Sequence, residues 1–135
     1  QNMWKEIGVT ANISTASTSE IIAAGRRGDN QVTIMAATYS TGDPGHALAD
    51  FDTRSDGFFR PVDKKIDELL DKGSAAYDTA ERAAVYEELQ DYIYHQYYMI
   101  GVANKTVNYV ITDKVQNFYC DPGDIPSFAG VTVTE

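Results

Sequence analysis

The sequence has one cysteine, no long apolar run and few basic residues, and each shortage excludes a class of protein. Cys120 alone cannot form a disulfide within the chain or supply a multi-cysteine zinc site. No apolar run approaches the ~20 residues that a membrane-spanning helix requires. The 20 acidic residues outnumber the 11 basic ones and give a formal charge of −9, which repels nucleic acid phosphates. We therefore predict no nucleic acid partner.

The remaining composition is that of one globular domain. Apolar residues make up 43% of the 135 residues, enough for a single core. At the start, Met3, Trp4 and Ile7 have helical spacing, and Gly8 is suited to end a helix. Because the chain begins within this helical pattern, we expect it to be a fragment of a longer protein.

The first third of the chain has the pattern of a βαβ unit. Segment 9–13 alternates apolar and polar residues, as a half-buried strand does. Ser17 and Glu20 have capping-box spacing, and Gly28 is placed to end the helix that they start. Segment 31–37 is apolar nearly throughout, which is typical of a strand covered on both faces. We predict that the two strands are parallel, with a right-handed crossover.

Polar side chains follow the second of these strands. Ligands of open α/β sheets bind outside the carboxyl ends of the strands, and we therefore predict a ligand-binding edge formed by Thr38, Tyr39, Ser40, Thr41 and Asp43. Its hydroxyl groups suit a neutral polar solute, such as a sugar, an opine-like compound or an amide, better than a cation. The alternative is a surface turn, in which the hydroxyl groups cap the strand and Asp43 makes an Asx turn.

Two helices are predicted next, and strands after them. The first helix begins at Pro61, ends at Gly73 and carries an apolar stripe. The stripe consists of Val62, Ile66, Leu69 and Leu70. The second begins with the capping-box spacing of Asp78 and Glu81. Its apolar face consists of Val85, Leu89, Tyr92, Ile93 and Gln96. Segments 99–111 and 131–135 have the pattern of strands, with a loop-rich connection over 113–128.

The order of these segments resembles the C-terminal part of family 5 extracellular solute-binding proteins, the dipeptide-, oligopeptide- and nickel-type receptors that deliver solutes to ABC importers. The resemblance spans nearly the whole chain and is most specific in the helix pair. A D-x-x-I-D-like pattern runs from Asp63 to Asp67 on the first helix. The pattern of the second helix is formed by Glu81, Arg82, Tyr86, Glu88 and Gln90.

The resemblance implies an α/β lobe fragment of a type II periplasmic-binding-protein-like fold, with a βαβ unit, a helix pair and C-terminal strands. Residues 1–135 would form the last quarter of a two-lobed receptor, in which 1–98 belong to the ligand lobe and 99–135 return toward the other lobe. It also implies binding of a small polar solute, which could be a peptide, a sugar or an opine-like compound. We predict neither a cofactor nor a metal site. The partners would be permease subunits and the missing N-terminal lobe. The location would be periplasmic or extracellular, with a lipid anchor in a Gram-positive organism.

One departure from the family concerns the ligand. Peptide-binding relatives often have a tryptophan and, three residues later, an aspartate that pairs with the amino group of the peptide. Counted back from Pro44, those places hold Ala37 and Ser40. The missing carboxylate counts against a peptide that is bound through its free amine.

Metal-binding hypotheses have less support. A cluster of three acidic residues could indicate a calcium site. The cluster consists of Asp50, Asp52 and Asp56. Arg54 occupies a position at which an EF-hand loop needs a ligand, so a solvated turn is favoured. His95 and Asp91 have helical i, i+4 spacing, but no second histidine is near them in the sequence.

Two other function classes stay open as alternatives. A hydrolase-like enzyme domain is suggested by scattered ingredients, namely Ser40, Asp43, His46 and His95. No G-x-S-x-G elbow accompanies them. A protein-interaction module is suggested by the tyrosines of the second helix, for which core packing is the simpler explanation. These are Tyr86, Tyr92, Tyr94, Tyr97 and Tyr98.

Overall fold

The computed structural model describes residues 1–55, 59, 63–121 and 123–134. The chain forms two compact units, Gln1–Thr33 and Ile34–Glu135. Among the described residues, no helix is both long enough and apolar enough to cross a bilayer.

The first unit contains helices α1, Asn2–Glu6, and α2, Thr18–Arg27. The predicted capping box is present at the start of α2. The backbone N–H of Ser17 donates to Glu20 Oε2 at 2.9 Å, and the backbone N–H of Glu20 donates to Ser17 Oγ at 3.4 Å. Gly28 ends the helix with φ +74°, a left-handed conformation that costs glycine little. The helix predicted between Ser17 and Gly28 is therefore confirmed at both ends.

The parallel strands of the predicted βαβ unit are not confirmed. Neither segment 9–13 nor segment 31–37 is a strand, and every strand pair among the described residues is antiparallel. Ile13 is 69% exposed and Ile34 is 88% exposed, so the expected burial is also missing. A strand exists only when a neighbour accepts and donates its backbone hydrogen bonds. These two segments have the composition of strands but no such neighbour within the described chain.

The second unit is built on a pair of helices. Helix α3, Pro44–Leu48, runs into a 3₁₀ turn, Ala49–Phe51, and both pack against α4, Lys64–Ala75, which pairs with α5, Thr79–His95. Ile66 and Leu89 are completely buried at the centre. The core consists of Leu48, Phe51, Ile66, Leu69, Leu70, Val85, Tyr86, Leu89 and Ile93. The described residues of the predicted apolar faces are thus buried, except that Tyr92 is half-buried and Gln96 is exposed.

In the helix pair, the predicted end of α4 is wrong and the predicted start of α5 is confirmed. Gly73 does not end α4; it lies inside the helix and is buried. A glycine is needed there because a Cβ atom would lie 2.7 Å from Cζ of Tyr86. Asp78 is the N-cap of α5, as predicted, and accepts a hydrogen bond from the backbone N–H of Glu81 at 2.9 Å. The predicted start at Pro61 and the stripe residue Val62 lie outside the described residues.

Short antiparallel strands follow the helix pair. Strands β1, Val115–Gln116, and β4, Thr132–Val133, pair with each other. Strands β2, Tyr119–Cys120, and β3, Pro126–Ser127, form a second pair. The predicted strand over 131–135 is therefore present in part, whereas 99–111 is not a strand. The assignment of 1–98 to one lobe and 99–135 to chain returning toward another stays a prediction.

Candidate functional site

The hydroxyl-bearing segment, residues 38–41, lies at the surface of the second unit. Thr38, Ser40 and Thr41 are exposed, and Tyr39 is half-buried. The segment leads through Gly42, with φ +63°, into α3. A cavity of about 340 Å³ lies elsewhere, in the first unit, and does not include the segment. Because Thr38, Ser40 and Thr41 are exposed, their hydroxyl groups form an open edge, which we call the hydroxyl edge.

Tyr39 anchors this edge to the residues that follow α3. Its hydroxyl donates to Asp50 Oδ2 at 2.7 Å, and its ring meets the edge of the His46 ring at 5.5 Å between centroids. His46 Nδ1 lies 3.0 Å from Thr41 Oγ1. Burial, and then the hydrogen bond to the Asp50 carboxylate, raise the pKa of Tyr39 to about 12. The phenol is thus held in its neutral, donating form.

The raised pKa predicts a loss of stability at alkaline pH. In the unfolded chain, the pKa of a tyrosine is about 10. Because the folded value is higher, the contribution of Tyr39 to stability is complete below pH ~10 and is lost as the pH rises toward about 12. In a titration of tyrosinate absorbance, Tyr39→Phe is expected to lack an ionisation step at about pH 12 that the wild type shows.

Tyr77→Phe is the matched control, because Tyr77 is fully exposed. This variant also loses one tyrosine but is expected to keep the late step. A hydrogen bond from Tyr109 to Asp124 raises the pKa of Tyr109 as well, so the result is read from the difference between wild type and Tyr39→Phe. Identical late titrations in those two proteins would contradict the prediction.

Asp43 joins the edge to the helix pair. Its Oδ1 atom caps α3 by accepting the backbone N–H of Gly45 at 2.7 Å. Nη2 of Arg82 donates to Oδ1 at 2.7 Å and to Oδ2 at 2.8 Å. The bond from Gly45 lowers the pKa of Asp43, as do the bond and the charge of Arg82, although desolvation opposes them. The carboxylate therefore has an intramolecular role, and its predicted contact with a solute stays a prediction.

Arg82 was not predicted to contact the edge. The sequence identified it only as part of the α5 pattern. Asp43-Pro44 is a typical start of a helix, but this local pattern does not indicate a partner 39 residues away. Nη1 of Arg82 donates to the carbonyl oxygen of Gly73 at 3.0 Å, and the guanidinium lies 4.8 Å from the centre of the Tyr86 ring. Arg82 thus contacts the N-cap of α3, the last turn of α4 and the ring of Tyr86 on its own helix.

The turn of the β2–β3 hairpin packs against the edge. Gly123 is buried, and a Cβ atom on it would lie 2.4 Å from Cα of Ser40. The two backbones therefore touch, and position 123 has no room for a side chain. Next to Gly123, Asp124 accepts a hydrogen bond from the Tyr109 hydroxyl at 2.8 Å. The segment 38–43 is consequently held by Asp50, by Arg82 and by this turn.

The contacts of the two histidines do not assemble a hydrolase. His46 contacts Thr41 and Tyr39, and the ring of His95 packs against Tyr94 at 5.3 Å between centroids. Among the described residues, no hydrogen bond joins the Ser40 hydroxyl to either imidazole. The serine, imidazole and carboxylate series required for that chemistry is therefore not formed by these residues.

The acidic residues of the calcium hypothesis have other partners. Asp50 accepts from Tyr39, and Asp52 forms an ion pair with Arg54 at 3.0 Å. Asp56 lies outside the described residues. Within the part of the chain that the structure describes, no three acidic, histidine or cysteine side chains are grouped around a possible ion.

The tyrosines of α5 and the residues after it divide into three groups. Tyr86 belongs to the core. The hydroxyls of Tyr92 and Tyr98 donate to Oδ2 of Asp63, at 2.9 and 3.1 Å. Tyr94 and Tyr97 are exposed. Packing and capping contacts therefore account for three of the five tyrosines that the interaction-module hypothesis used.

Comparison with known proteins gives relatives of one kind. No protein-family model matches the chain, and no solved structure matches it significantly. Probable di/tripeptide-binding protein 5 of Pseudomonas aeruginosa (strain UCBPP-PA14) is 27% identical over 133 residues, which are 95% of this chain and 25% of the relative. Di/tripeptide-binding protein 1 of the same strain is 25% identical, over 98% of this chain and 26% of the relative. The dipeptide-binding protein of Escherichia coli (strain K12) is 23% identical, over 96% of this chain and 25% of the relative.

These relatives confirm the resemblance to family 5 solute-binding proteins that the helix-pair motifs indicated. The similarity covers almost all of this chain. The chain spans about a quarter of the length of the curated relatives that it matches. The relatives are binding proteins by name, and none of the three is named as an enzyme.

Proposed function

We propose that this chain is part of an extracytoplasmic solute-binding protein that takes up small peptides. The observation that carries the proposal is its similarity, over 95% of its length or more, to proteins named for binding dipeptides and tripeptides. The local geometry is compatible with this role. Thr38, Ser40 and Thr41 are exposed at the hydroxyl edge. The neighbouring side chains of Tyr39 and Asp43 form hydrogen bonds to Asp50 and Arg82, which hold the edge to the packed part of the unit.

The solute would be held mainly at its amide groups. Thr38, Ser40 and Thr41 offer hydroxyls that both donate and accept, which suits the N–H and C=O groups of a peptide. Tyr39 and Asp43 would support the edge, because the Tyr39 hydroxyl and the Asp43 carboxylate have intramolecular partners. With Ser40 in the place where the family resemblance expects a carboxylate, a free amino group would contribute little to the affinity.

The mechanism would be closure of two lobes around the peptide. Contacts from both lobes would stabilise the closed form relative to the open form, so that binding shifts the population toward closure. The second lobe would belong to the remainder of a longer protein. The closed protein would then be recognised by the permease subunits of an ABC importer, in the periplasm or at a cell surface with a lipid anchor.

A second candidate solute is a sugar or an opine-like compound. The observation that favours it is the chemistry of the edge, which has three exposed hydroxyl side chains while its one carboxylate, Asp43, is paired with Arg82. Such an edge matches the hydroxyl groups of a neutral polyol as well as it matches amides.

Calorimetric titration of the complete protein tests the proposal and separates the two solutes. We expect binding of a dipeptide and of its N-acetylated form with similar affinity, and no binding of a sugar. Thr38→Val removes one exposed hydroxyl without changing the shape of the side chain. This substitution should lower the affinity for the peptide by roughly threefold to tenfold, which is the contribution of one neutral hydrogen bond.

Thr106→Val is the matched control for this titration. Thr106 is also exposed, lies outside the edge, and should tolerate the same substitution with unchanged affinity. Binding of a sugar but not of a peptide would favour the second candidate. Equal effects of Thr38→Val and Thr106→Val would remove the edge from the binding site.

A further inference from the structure

The ion pair between Arg82 and Asp43 connects the hydroxyl edge to the core of the unit. We infer that Arg82 is a positioning residue for the solute site, which it affects through Asp43 without touching the solute. This inference rests on the proposed function, since it assigns a second layer of residues to the same site. Three features of the ion pair support the inference. Asp43 lies next to the hydroxyl edge, Arg82 is fixed by Gly73 and Tyr86, and the fold of the helix pair does not depend on Arg82.

The contact starts at the edge itself. Asp43 directly follows the hydroxyl segment and Gly42, and its backbone N–H donates to Oγ1 of Thr41 at 3.3 Å. Nη2 of Arg82 reaches both oxygens of the Asp43 carboxylate, across a separation of 39 residues in the chain. Arg82 is 29% exposed and Asp43 is 43% exposed, so water screens the pair only in part. A displacement of Arg82 would therefore be transmitted to Asp43 and Thr41.

The other side of the guanidinium is fixed to rigid structure. Nη1 donates to the carbonyl oxygen of Gly73 near the end of α4, and the guanidinium carbon lies over the ring of Tyr86, 4.8 Å from its centre. Gly73 and Tyr86 are both buried. A side chain that is locked by packing and by second contacts positions its partner better than a free one does. Because the helix pair fixes the side chain of Arg82, Arg82 in turn restricts the motion of Asp43 and of the hydroxyl edge next to it.

Removal of Arg82 would leave the fold of the helix pair in place. Asp43 keeps the backbone N–H of Gly45, which maintains the start of α3, and the core residues of α4 and α5 do not include Arg82. What is lost is the ion pair that joins the N-cap of α3 to α5. The expected consequence is a more mobile edge on a folded protein, which lowers affinity because binding must then order the edge.

The test measures affinity and local order in the complete protein. Arg82→Gln is expected to weaken binding of a dipeptide about tenfold, the scale of one charge-assisted hydrogen bond. It should also speed up amide hydrogen exchange at residues 40, 41 and 43. Arg82→Lys keeps the charge but cannot donate to Asp43 and Gly73 with the planar fork of a guanidinium, and should give an intermediate loss.

Two further variants make the result specific. Arg27→Gln makes the same substitution at an exposed ion pair with Asp29 in the first unit, and should leave affinity and exchange unchanged. Asp43→Asn should weaken binding as Arg82→Gln does. The double variant should lose no more affinity than either single one, because Arg82 acts on the site only through its ion pair with Asp43, which both substitutions remove. Additive losses would overturn the inference, since Arg82 would then act by another route.

The inference and the proposed function fail in different ways. If the wild type binds no peptide, the proposed function fails, and hydrogen exchange still decides whether Arg82 holds the edge. If the wild type binds and Arg82→Gln binds equally well, with unchanged exchange at 40–43, Arg82 is not a positioning residue. Circular dichroism of each variant establishes that the comparison is made between folded proteins.

Discussion

Replacing Phe51 by alanine is expected to lower the free energy of unfolding by about 3–5 kcal/mol. Phe51 is 1% exposed and stacks on Phe59 with 4.6 Å between ring centroids. It lies in the 3₁₀ turn beside α4, so that its ring closes the core on the side of α3. The loss combines the transfer of a large apolar side chain to water with the cavity left behind. Urea unfolding followed by circular dichroism measures it.

Phe128→Ala is the matched control for this substitution. Phe128 is 72% exposed and meets Phe118 only at 6.3 Å between ring centroids. The same change of side chain should therefore cost roughly 0.5 kcal/mol or less. Equal losses for the two variants would mean that the cluster around Phe51 is not the core of the second unit.

The substitution Gly73→Ala is expected to destabilise the chain by about 1–2 kcal/mol, although alanine is the better helix former. Alanine inside a helix is favoured over glycine by about 0.5–1 kcal/mol. Against this, the added Cβ atom would lie 2.7 Å from Cζ and 2.8 Å from Cε1 of Tyr86. That ring is 3% exposed and has little freedom to move aside. Overpacking of this kind costs about 1–3 kcal/mol, so the steric term decides the sign.

The background of Tyr86→Ala tests this explanation because the sign should reverse. Without the ring, Gly73→Ala meets no obstacle and should raise the free energy of unfolding by about 0.5–1 kcal/mol. Urea unfolding of the two single variants and the double variant gives both values. A stabilising effect of Gly73→Ala in the wild-type background would show that α4 and α5 are not as closely packed as the structure has them.

The features that the sequence predicted well are those that depend on local interactions. The capping box of Ser17 and Glu20, the N-cap Asp78 and the apolar faces of α4 and α5 each involve residues within one or two helical turns. Such patterns are legible in one segment of chain, because the groups that satisfy one another are near neighbours in sequence.

The features that were missed depend on partners far away in the chain. Segment 31–37 reads as a buried strand, but strand structure needs a neighbour that no local pattern reveals. Gly73 looks like a helix end, and only the position of Tyr86 shows why it is an interior residue. For the candidate site, the sequence indicated residues 38–41 as a binding edge, which stays a prediction. The pairing of Asp43 with Arg82 requires knowledge of how α3 meets α5.

The contact of Gly123 with Ser40 bears on how this protein could be re-engineered. Because the two backbones touch, a larger residue at position 123 would act as a wedge and push Ser40 outward without altering any hydroxyl group. The position of Ser40 in the proposed solute site could then be adjusted from residue 123, which is itself buried. Libraries that randomise residues 38–41 should accordingly keep position 123 as glycine, or vary both places together.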